Sequence, residues 1–213
     1  MQDGTKRRSQ GTPDTSSSAS ILLVISGPSG VGKDAVVAGL RSALPSAYFA
    51  TTVTTRPPRP GERDGVDYRF LSEEQYDRLV AEDGFLERAA VYTHRYGVPR
   101  REVEQALREG RDVIVRVDVQ GAATMKRLMP DAVLVFLAPE SDEVLQKRLR
   151  DRATDAGADL RARLETAARE MAQEGSFDHV VVNAEGLLAA TVSRIVSVVE
   201  SERRRRNRRP TQI

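Results

Sequence analysis

The sequence has no cysteine and no tryptophan, and only five Tyr and five Phe among its 213 residues. Without cysteine the chain can form neither disulfides nor thiolate metal sites. The apolar run near the N-terminus, residues 21–25, is far shorter than the roughly 20 residues that cross a bilayer. The aromatic residues are not interleaved with basic ones, as they are in stacking surfaces for RNA. We therefore expect a cytoplasmic protein that neither enters a membrane nor requires nucleic acid.

The net charge of +2 is unevenly distributed, because segment 203–213 contains six arginines. Without them the 33 basic residues fall to 27 against 31 acidic ones, so the rest of the chain is mildly acidic. An arginine block can hold RNA weakly and without sequence preference, or it can simply end a helix in solvent. Both interpretations of this C-terminal tail stay open.

Short apolar strands alternate with helical stretches over most of the chain. Residues 1–19 are rich in Ser, Thr and Gly and lack apolar periodicity, which predicts a disordered N-terminal tail. The alternation that follows predicts an α/β fold with a parallel sheet flanked by helices. Strands are predicted at 21–26, 113–117, 133–138 and 179–183, and helices at 34–44 and 187–202.

Two segments interrupt this alternation. Residues 48–99 carry weak strand signals, a Pro/Gly-rich basic turn and a short helix that Ser72 and Gln75 can cap reciprocally, which predicts an inserted lobe. Residues 148–163 are rich in arginine around a Gly-containing loop, which predicts a mobile lid. The predicted domain therefore spans 20–202, with core segments 20–47, 100–147 and 164–202.

The stretch GPSGVGKD, residues 27–34, follows a predicted buried strand and precedes a helix. Its glycines let the backbone approach phosphate oxygens, while the helix N-terminus and Lys33 add positive charge. This is a P-loop, and it predicts binding of the ATP phosphates. The predicted ATP-binding residues are Gly27, Pro28, Ser29, Gly30, Val31, Gly32, Lys33 and Asp34.

Four further stretches carry a family pattern: TTRPPRPGERDGVDYRF (54–70), GFLERAAVYTHRYG (84–97), VDVQGA (117–122) and FLAPES (136–141). Together with the P-loop they resemble the guanylate kinase family, and the resemblance runs from 21 to 202. It implies a P-loop NTPase core with an inserted GMP-binding lobe and a helical lid. It also implies transfer of the ATP γ-phosphoryl group to GMP, giving GDP and ADP, with Mg²⁺ required.

The resemblance also assigns the acceptor site. Arg56 and Arg59 flank a proline-stiffened turn, and a guanidinium can fork onto a phosphate; with Tyr68 and Tyr96 they surround the GMP phosphate in the family. Glu87 matches the glutamate that accepts from guanine N1–H and the 2-amino group, whereas adenine would present an acceptor there. The remaining predicted GMP-binding residues are Thr52, which matches a base-reading serine, and Asp118, which follows a strand; Val98 replaces a Ser or Thr of relatives.

The lid supplies the predicted catalytic cations. Arg148 and Arg152 lie four residues apart on one helix face, and Arg163 lies beyond the lid loop. Lid closure would bring them onto the transferring phosphoryl group, and the family pattern agrees at all three positions. With Lys33 they form the predicted catalytic set.

Asp34 occupies the position where a P-loop has the Ser or Thr that ligates magnesium. A Gly-Lys-Asp loop resembles that of ribose 1,5-bisphosphate phosphokinase, which would lack a nucleobase pocket. A second alternative is a guanylate-kinase-like peptide-binding module without catalysis. The third is a working kinase in which Asp34 is itself a Mg²⁺ ligand. Relatives carry an acid two residues before Asp118, where this chain has Arg116, so we hypothesise that Asp34 and Arg116 face each other and jointly shape the metal site.

Overall fold

A computed structural model describes residues 20–91, 93–153 and 160–205, without the side chains of Val91, Arg152 and Ala153. The predicted tail 1–19, the centre of the lid loop and the end of the arginine block lie outside the described residues. The strands are β1 (Leu22–Ser26), β2 (Tyr48–Phe49), β3 (Val53–Thr54), β4 (Arg69–Phe70), β5 (Phe85–Val91), β6 (His94–Pro99), β7 (Val113–Arg116), β8 (Val133–Ala138) and β9 (His179–Val182). The helices are α1 (Lys33–Ala43), α2 (Glu73–Ala81), α3 (Arg100–Arg108), α4 (Val119–Leu128), α5 (Asp142–Ala153), α6 (Leu160–Met171) and α7 (Leu188–Arg204), with a 3-10 turn at Glu174–Ser176.

The central sheet has five parallel strands in the order β2-β7-β1-β8-β9. The strands β1 and β8 are buried along their whole length, because helices cover both faces of the sheet. Leu23 and Ile25 belong to the apolar cluster on the α1 and α7 side, and Leu22 and Val24 to the cluster on the α3 and α4 side. The predicted α/β fold with a parallel sheet is confirmed.

A second, mainly antiparallel sheet, β4-β3-β6-β5, lies within the predicted lobe 48–99. The predicted reciprocal cap of α2 is present: the Ser72 N–H donates to Gln75 Oε1 (2.8 Å) and the Gln75 N–H to Ser72 Oγ (3.2 Å). Tyr76 of α2 stacks on Phe85 of β5 with ring centroids 4.8 Å apart. The helix therefore closes one face of the small sheet.

The last helix, α7, continues two residues beyond its predicted end at 202, to Arg204. Arg203 donates to the buried carboxylate of Asp112, which also accepts the Ile21 N–H at 2.9 Å. The first arginine of the block thus ties α7, through Asp112, to the start of β1. In the part of the chain that the structure describes, no helix is long and apolar enough to cross a membrane.

Candidate active site

The P-loop joins β1 to α1 in a conformation that requires glycine. Gly27 and Gly32 have φ of 139° and 100°, which side chains rarely adopt. A Cβ on Gly27 would lie 2.3 Å from the Leu137 carbonyl oxygen, and one on Gly32 would lie 2.7 Å from Asn183 Nδ2. The loop is therefore packed directly against strand β8 and against the residue that follows β9.

Lys33, the first residue of α1, folds back over this loop. Its Nζ donates to the carbonyl oxygens of Gly27 and Pro28, the latter at 3.1 Å. Burial lowers the Lys33 pKa, and the nearby Glu170 carboxylate partly offsets that effect. The ammonium is thus held at the mouth of the anion cradle, where a bound phosphate would meet it.

Two residues that the sequence reasoning did not single out support the loop. The Asn183 Nδ2 donates to the Val31 carbonyl (2.7 Å), and its Oδ1 accepts from Thr191 Oγ1 (3.1 Å). Glu170 of α6 accepts the Ser29 N–H at 3.0 Å, and burial raises the pKa of this carboxyl. Asn183 directly follows β9, so the rule that placed Asp118 at the carboxyl edge of the sheet could have found it.

The helices α5 and α6 bring lid residues to the loop. Leu145, Leu149 and Ala167 form their shared apolar contact. Arg148 Nη1 donates to the Val31 carbonyl at 3.3 Å, so this predicted residue lies at the P-loop. Arg163 lies on α6, and its Nε is buried without a hydrogen-bond partner among the described residues. The side chain of Arg152 lies outside the described residues.

The predicted acceptor arginines lie on the turn after β3. Arg56 is buried; it donates to the Pro57 carbonyl (2.7 Å) and to Glu62 Oε1 (2.8 Å). The Arg59 side chain is exposed, while its N–H donates to Glu62 Oε2 (2.7 Å). Burial alone would raise the pKa of Glu62, but these hydrogen bonds lower it. Glu62, which sequence reasoning missed, therefore fixes the turn as a carboxylate.

Tyr68 and Tyr96 lie beside this turn. Their ring centroids are 6.1 Å apart, and the Arg56 guanidinium lies 5.3 Å from the Tyr68 ring centroid. Burial raises the pKa of the Tyr68 hydroxyl, which keeps it protonated as a donor. Three of the four residues predicted for the acceptor phosphate are therefore adjacent, and Arg59 is on the same turn.

Glu87 lies in β5, opposite Val98 of β6, and only 4% of this residue is exposed. Its Oε1 has no hydrogen-bond partner among the described residues. Burial, with a smaller contribution from Asp118, raises the Glu87 pKa to about 8. A buried carboxyl oxygen without a partner is costly in a folded protein, which is typical of a group that binds a ligand.

The other predicted base-site residues lie at the end of β7. The Thr52 hydroxyl donates to the Arg116 carbonyl at 3.2 Å. Asp118 caps α4 by accepting the Gly121 N–H at 2.7 Å. A Cβ on Gly121 would lie 2.9 Å from Glu87 Oε1, so only glycine lets α4 approach this carboxyl so closely.

Asp34 and Arg116 are in contact, which confirms the predicted proximity: Arg116 Nη1 donates to Asp34 Oδ1. They lie together because β1 and β7 are adjacent, with Ile25 opposite Arg116. The Asp34 side chain is 56% exposed and Arg116 12% exposed. Mg²⁺ typically takes one or two carboxylates plus phosphate oxygens and water, so the single carboxylate of Asp34 fits this ion as one ligand.

A parallel sheet with a P-loop, an arginine-bearing lid and a second lobe with a buried carboxyl defines a P-loop kinase. The guanylate kinase family model matches residues 19–202. The guanylate kinase of Gloeobacter violaceus is 45% identical over 92% of this chain and 94% of its own, and that of Thermobifida fusca 49% identical over 76% and 83%. A crystal structure of guanylate kinase from Anaplasma phagocytophilum, 31% identical, matches 90% of each chain with a TM-score of 0.75. The chain belongs to the guanylate kinase family.

Proposed function

We propose that this chain transfers the γ-phosphoryl group of ATP to GMP in the cleft between the P-loop, the second sheet and the helices α5 and α6, with the residues described above in specific roles. The observation that carries the proposal is the buried Oε1 of Glu87 beside Gly121, which has no hydrogen-bond partner among the described residues. It supports a pocket in which the purine, and not only the phosphate, is recognised.

On the donor side, the N–H groups of the P-loop and Lys33 hold the ATP phosphates. An open cleft of about 370 Å³ adjoins the loop and suits the nucleoside of ATP; it is lined by Gly30, Gly32, Arg148, Asn183 and Ala184, among others. Asp34 would provide a protein ligand to Mg²⁺, which supplies neutralisation of phosphate charge when bound. Asp34 is already in contact with Arg116, so only part of its negative charge faces the phosphates.

On the acceptor side, Arg56, Arg59, Tyr68 and Tyr96 bind the GMP phosphate. Glu87 accepts from guanine N1–H and the 2-amino group, and Thr52 and Asp118 complete the base site. Val98 has no polar atom to offer, so guanine recognition rests mainly on the carboxylate of Glu87.

The reaction needs alignment more than proton chemistry. An oxygen of the GMP phosphate attacks the γ-phosphorus of ATP. The bond from that phosphorus to the β,γ-bridging oxygen breaks, and ADP leaves with the electron pair. Because the nucleophile is already an anion, no general base is required. Lys33, Arg148, Arg152 and Arg163 stabilise the charge that spreads over the phosphoryl oxygens. The cytoplasm, where both nucleotides occur, is the proposed compartment.

The Glu87 pKa of about 8 predicts pH-dependent binding of GMP. Only the ionised carboxylate can accept two hydrogen bonds from guanine, so binding near neutral pH must expel a proton. GMP affinity should rise on the order of tenfold between about pH 6.5 and about pH 8 and then level off. Titration calorimetry in buffers of different ionisation enthalpy should detect the released proton. A pH-independent affinity without proton release would contradict this role of Glu87.

The acceptor specificity tests the proposed function. An ADP-release assay with ATP and Mg²⁺ should show turnover with GMP and little or none with AMP, UMP or ribose 1,5-bisphosphate. Turnover with ribose 1,5-bisphosphate alone would instead support ribose 1,5-bisphosphate phosphokinase activity, the alternative that the Gly-Lys-Asp loop suggests. No turnover with any acceptor would favour a binding module.

A further inference from the structure

The guanidinium of Arg116 contacts both halves of the proposed cleft. On the donor side it donates to the carboxylate of Asp34 in the first turn of α1. On the acceptor side its Nη2 donates to the Asp67 carbonyl at 3.1 Å, and the group lies 4.3 Å from the centroid of the Tyr68 ring. Arg116 is thus a physical link between the P-loop helix and a residue proposed to bind the GMP phosphate.

The charges explain why Asp34 matters for this link. Two guanidinium groups, those of Arg56 and Arg116, lie within 5.3 Å and 4.3 Å of the same Tyr68 ring centroid. Each of these cations is paired with a carboxylate, Arg56 with Glu62 and Arg116 with Asp34, so loss of Asp34 would leave the charge of Arg116 uncompensated beside the ring. With 12% of its side chain exposed, Arg116 also has little water to screen its charge.

We propose that Arg116 is a positioning residue that couples the two nucleotide sites. Asp34 fixes the Arg116 guanidinium, and Arg116 in turn fixes Tyr68 and the Asp67 carbonyl, so a residue of the ATP site sets the affinity for GMP before ATP or metal binds. This inference rests on the proposed function, because it takes GMP as the ligand of the second lobe. It predicts an effect of Asp34 that a metal ligand alone would not have.

The test is a double-mutant cycle read out as the Kd of GMP, measured by calorimetry without ATP and with EDTA. Arg116→Ala should weaken GMP binding by about tenfold, since it removes a stacking contact and a charged hydrogen bond. Asp34→Ser should weaken it by about threefold in the wild-type background and leave it unchanged in the Arg116→Ala background. Arg116→Lys keeps the charge but not the planar guanidinium, so its Kd for GMP should lie between those of the wild type and Arg116→Ala.

Arg111→Ala provides a matched control. Arg111 also lies over a tyrosine ring, that of Tyr48 at 5.5 Å, and donates to backbone carbonyls, those of Ser46 and Ala47. The Arg111→Ala variant should lose about as much thermal stability as Arg116→Ala, but its Kd for GMP should equal that of the wild type. A change equal to that of Arg116→Ala would mean that general loosening, not positioning, is measured.

The outcomes separate the inference from the proposed function. If the wild-type protein does not bind GMP, the proposed function fails. If it binds GMP but Asp34→Ser has no effect, or has the same effect in both backgrounds, the coupling through Arg116 is wrong. If Asp34→Ser weakens GMP binding when Arg116 is present but not in the Arg116→Ala background, the coupling is supported.

Discussion

Replacing Glu87 by Gln should raise the KM for GMP by roughly three orders of magnitude. The amide keeps the shape of the side chain but turns one acceptor into a donor, which would face a donor of guanine inside a buried site. Sites built around hydrogen bonds discriminate by about 10⁴-fold when a partner is mismatched, so a loss of this size is expected. The ADP-release assay over a range of GMP concentrations gives the value. The KM for ATP should change little.

The same substitution should stabilise the unliganded protein at high pH. The raised pKa of Glu87 means that its carboxylate is disfavoured in the folded state, so the group reduces stability increasingly as pH rises from its unfolded pKa to about 8. The amide that replaces the carboxyl would not ionise, and the free energy of unfolding above about pH 8 should be higher by a few kcal/mol. Glu82→Gln, an exposed site in the same lobe, is the control. Unchanged KM for GMP, or lower stability at high pH, would contradict the assignment.

Replacing Arg148 by Ala should lower kcat by about 10³-fold, the range typical of arginines that neutralise a transferring phosphoryl group. The guanidinium already reaches the P-loop through the Val31 carbonyl, so its loss would remove positive charge beside the proposed phosphate site. The KM for GMP should stay within a few-fold of wild type, because Arg148 lies on α5 and makes its hydrogen bond to the P-loop, whereas Glu87 lies on β5 of the second sheet. Single-turnover measurements separate this effect from product release.

Arg150→Ala is the matched control for that variant. Arg150 lies on the same helix, is exposed, and donates to Gln146. Its removal should leave kcat unchanged. Equal losses from both substitutions would indicate a general electrostatic or folding effect of the lid rather than a catalytic Arg148.

The central sheet and the P-loop could be predicted from sequence because their signals are local. A six-residue apolar run such as ILLVIS, bounded by a glycine-rich loop, favours a buried strand, and GPSGVGKD specifies its own loop. The capping box of α2 also follows from four consecutive residues, Ser72 to Gln75. In each case the residues that determine the structure are neighbours in the chain.

The residues that support the site cannot be predicted from local sequence patterns, because the contacts that define their role form only in the folded chain. Glu170 meets Ser29 across 141 positions, and nothing in the local sequence of α6 distinguishes it from an exposed glutamate. Glu62 was close to Arg56 in sequence, but only the folded turn shows that its two oxygens serve both Arg56 and Arg59. Such contacts depend on tertiary packing, which periodicity does not encode.

Asp34 was the feature that left the function open in the sequence. A kinase for a sugar phosphate would need no nucleobase pocket, yet Glu87 is buried beside Gly121, and its Oε1 accepts no hydrogen bond from the described part of the chain. A peptide-binding module would need neither the strained glycine loop nor Arg148 at its edge. The contact between Asp34 and Arg116 instead explains how a carboxylate is tolerated next to the phosphate site.

The most direct test of the proposed activity follows the phosphoryl group itself. The full chain is incubated with Mg²⁺, GMP and ATP labelled in its γ-phosphate, and the products are separated without coupling enzymes. We expect the label in GDP, formed by the wild-type protein and strongly reduced with Glu87→Gln or Arg148→Ala. Label that remains in ATP, or appears only as inorganic phosphate, would contradict the assignment of this cleft as an ATP:GMP phosphotransferase.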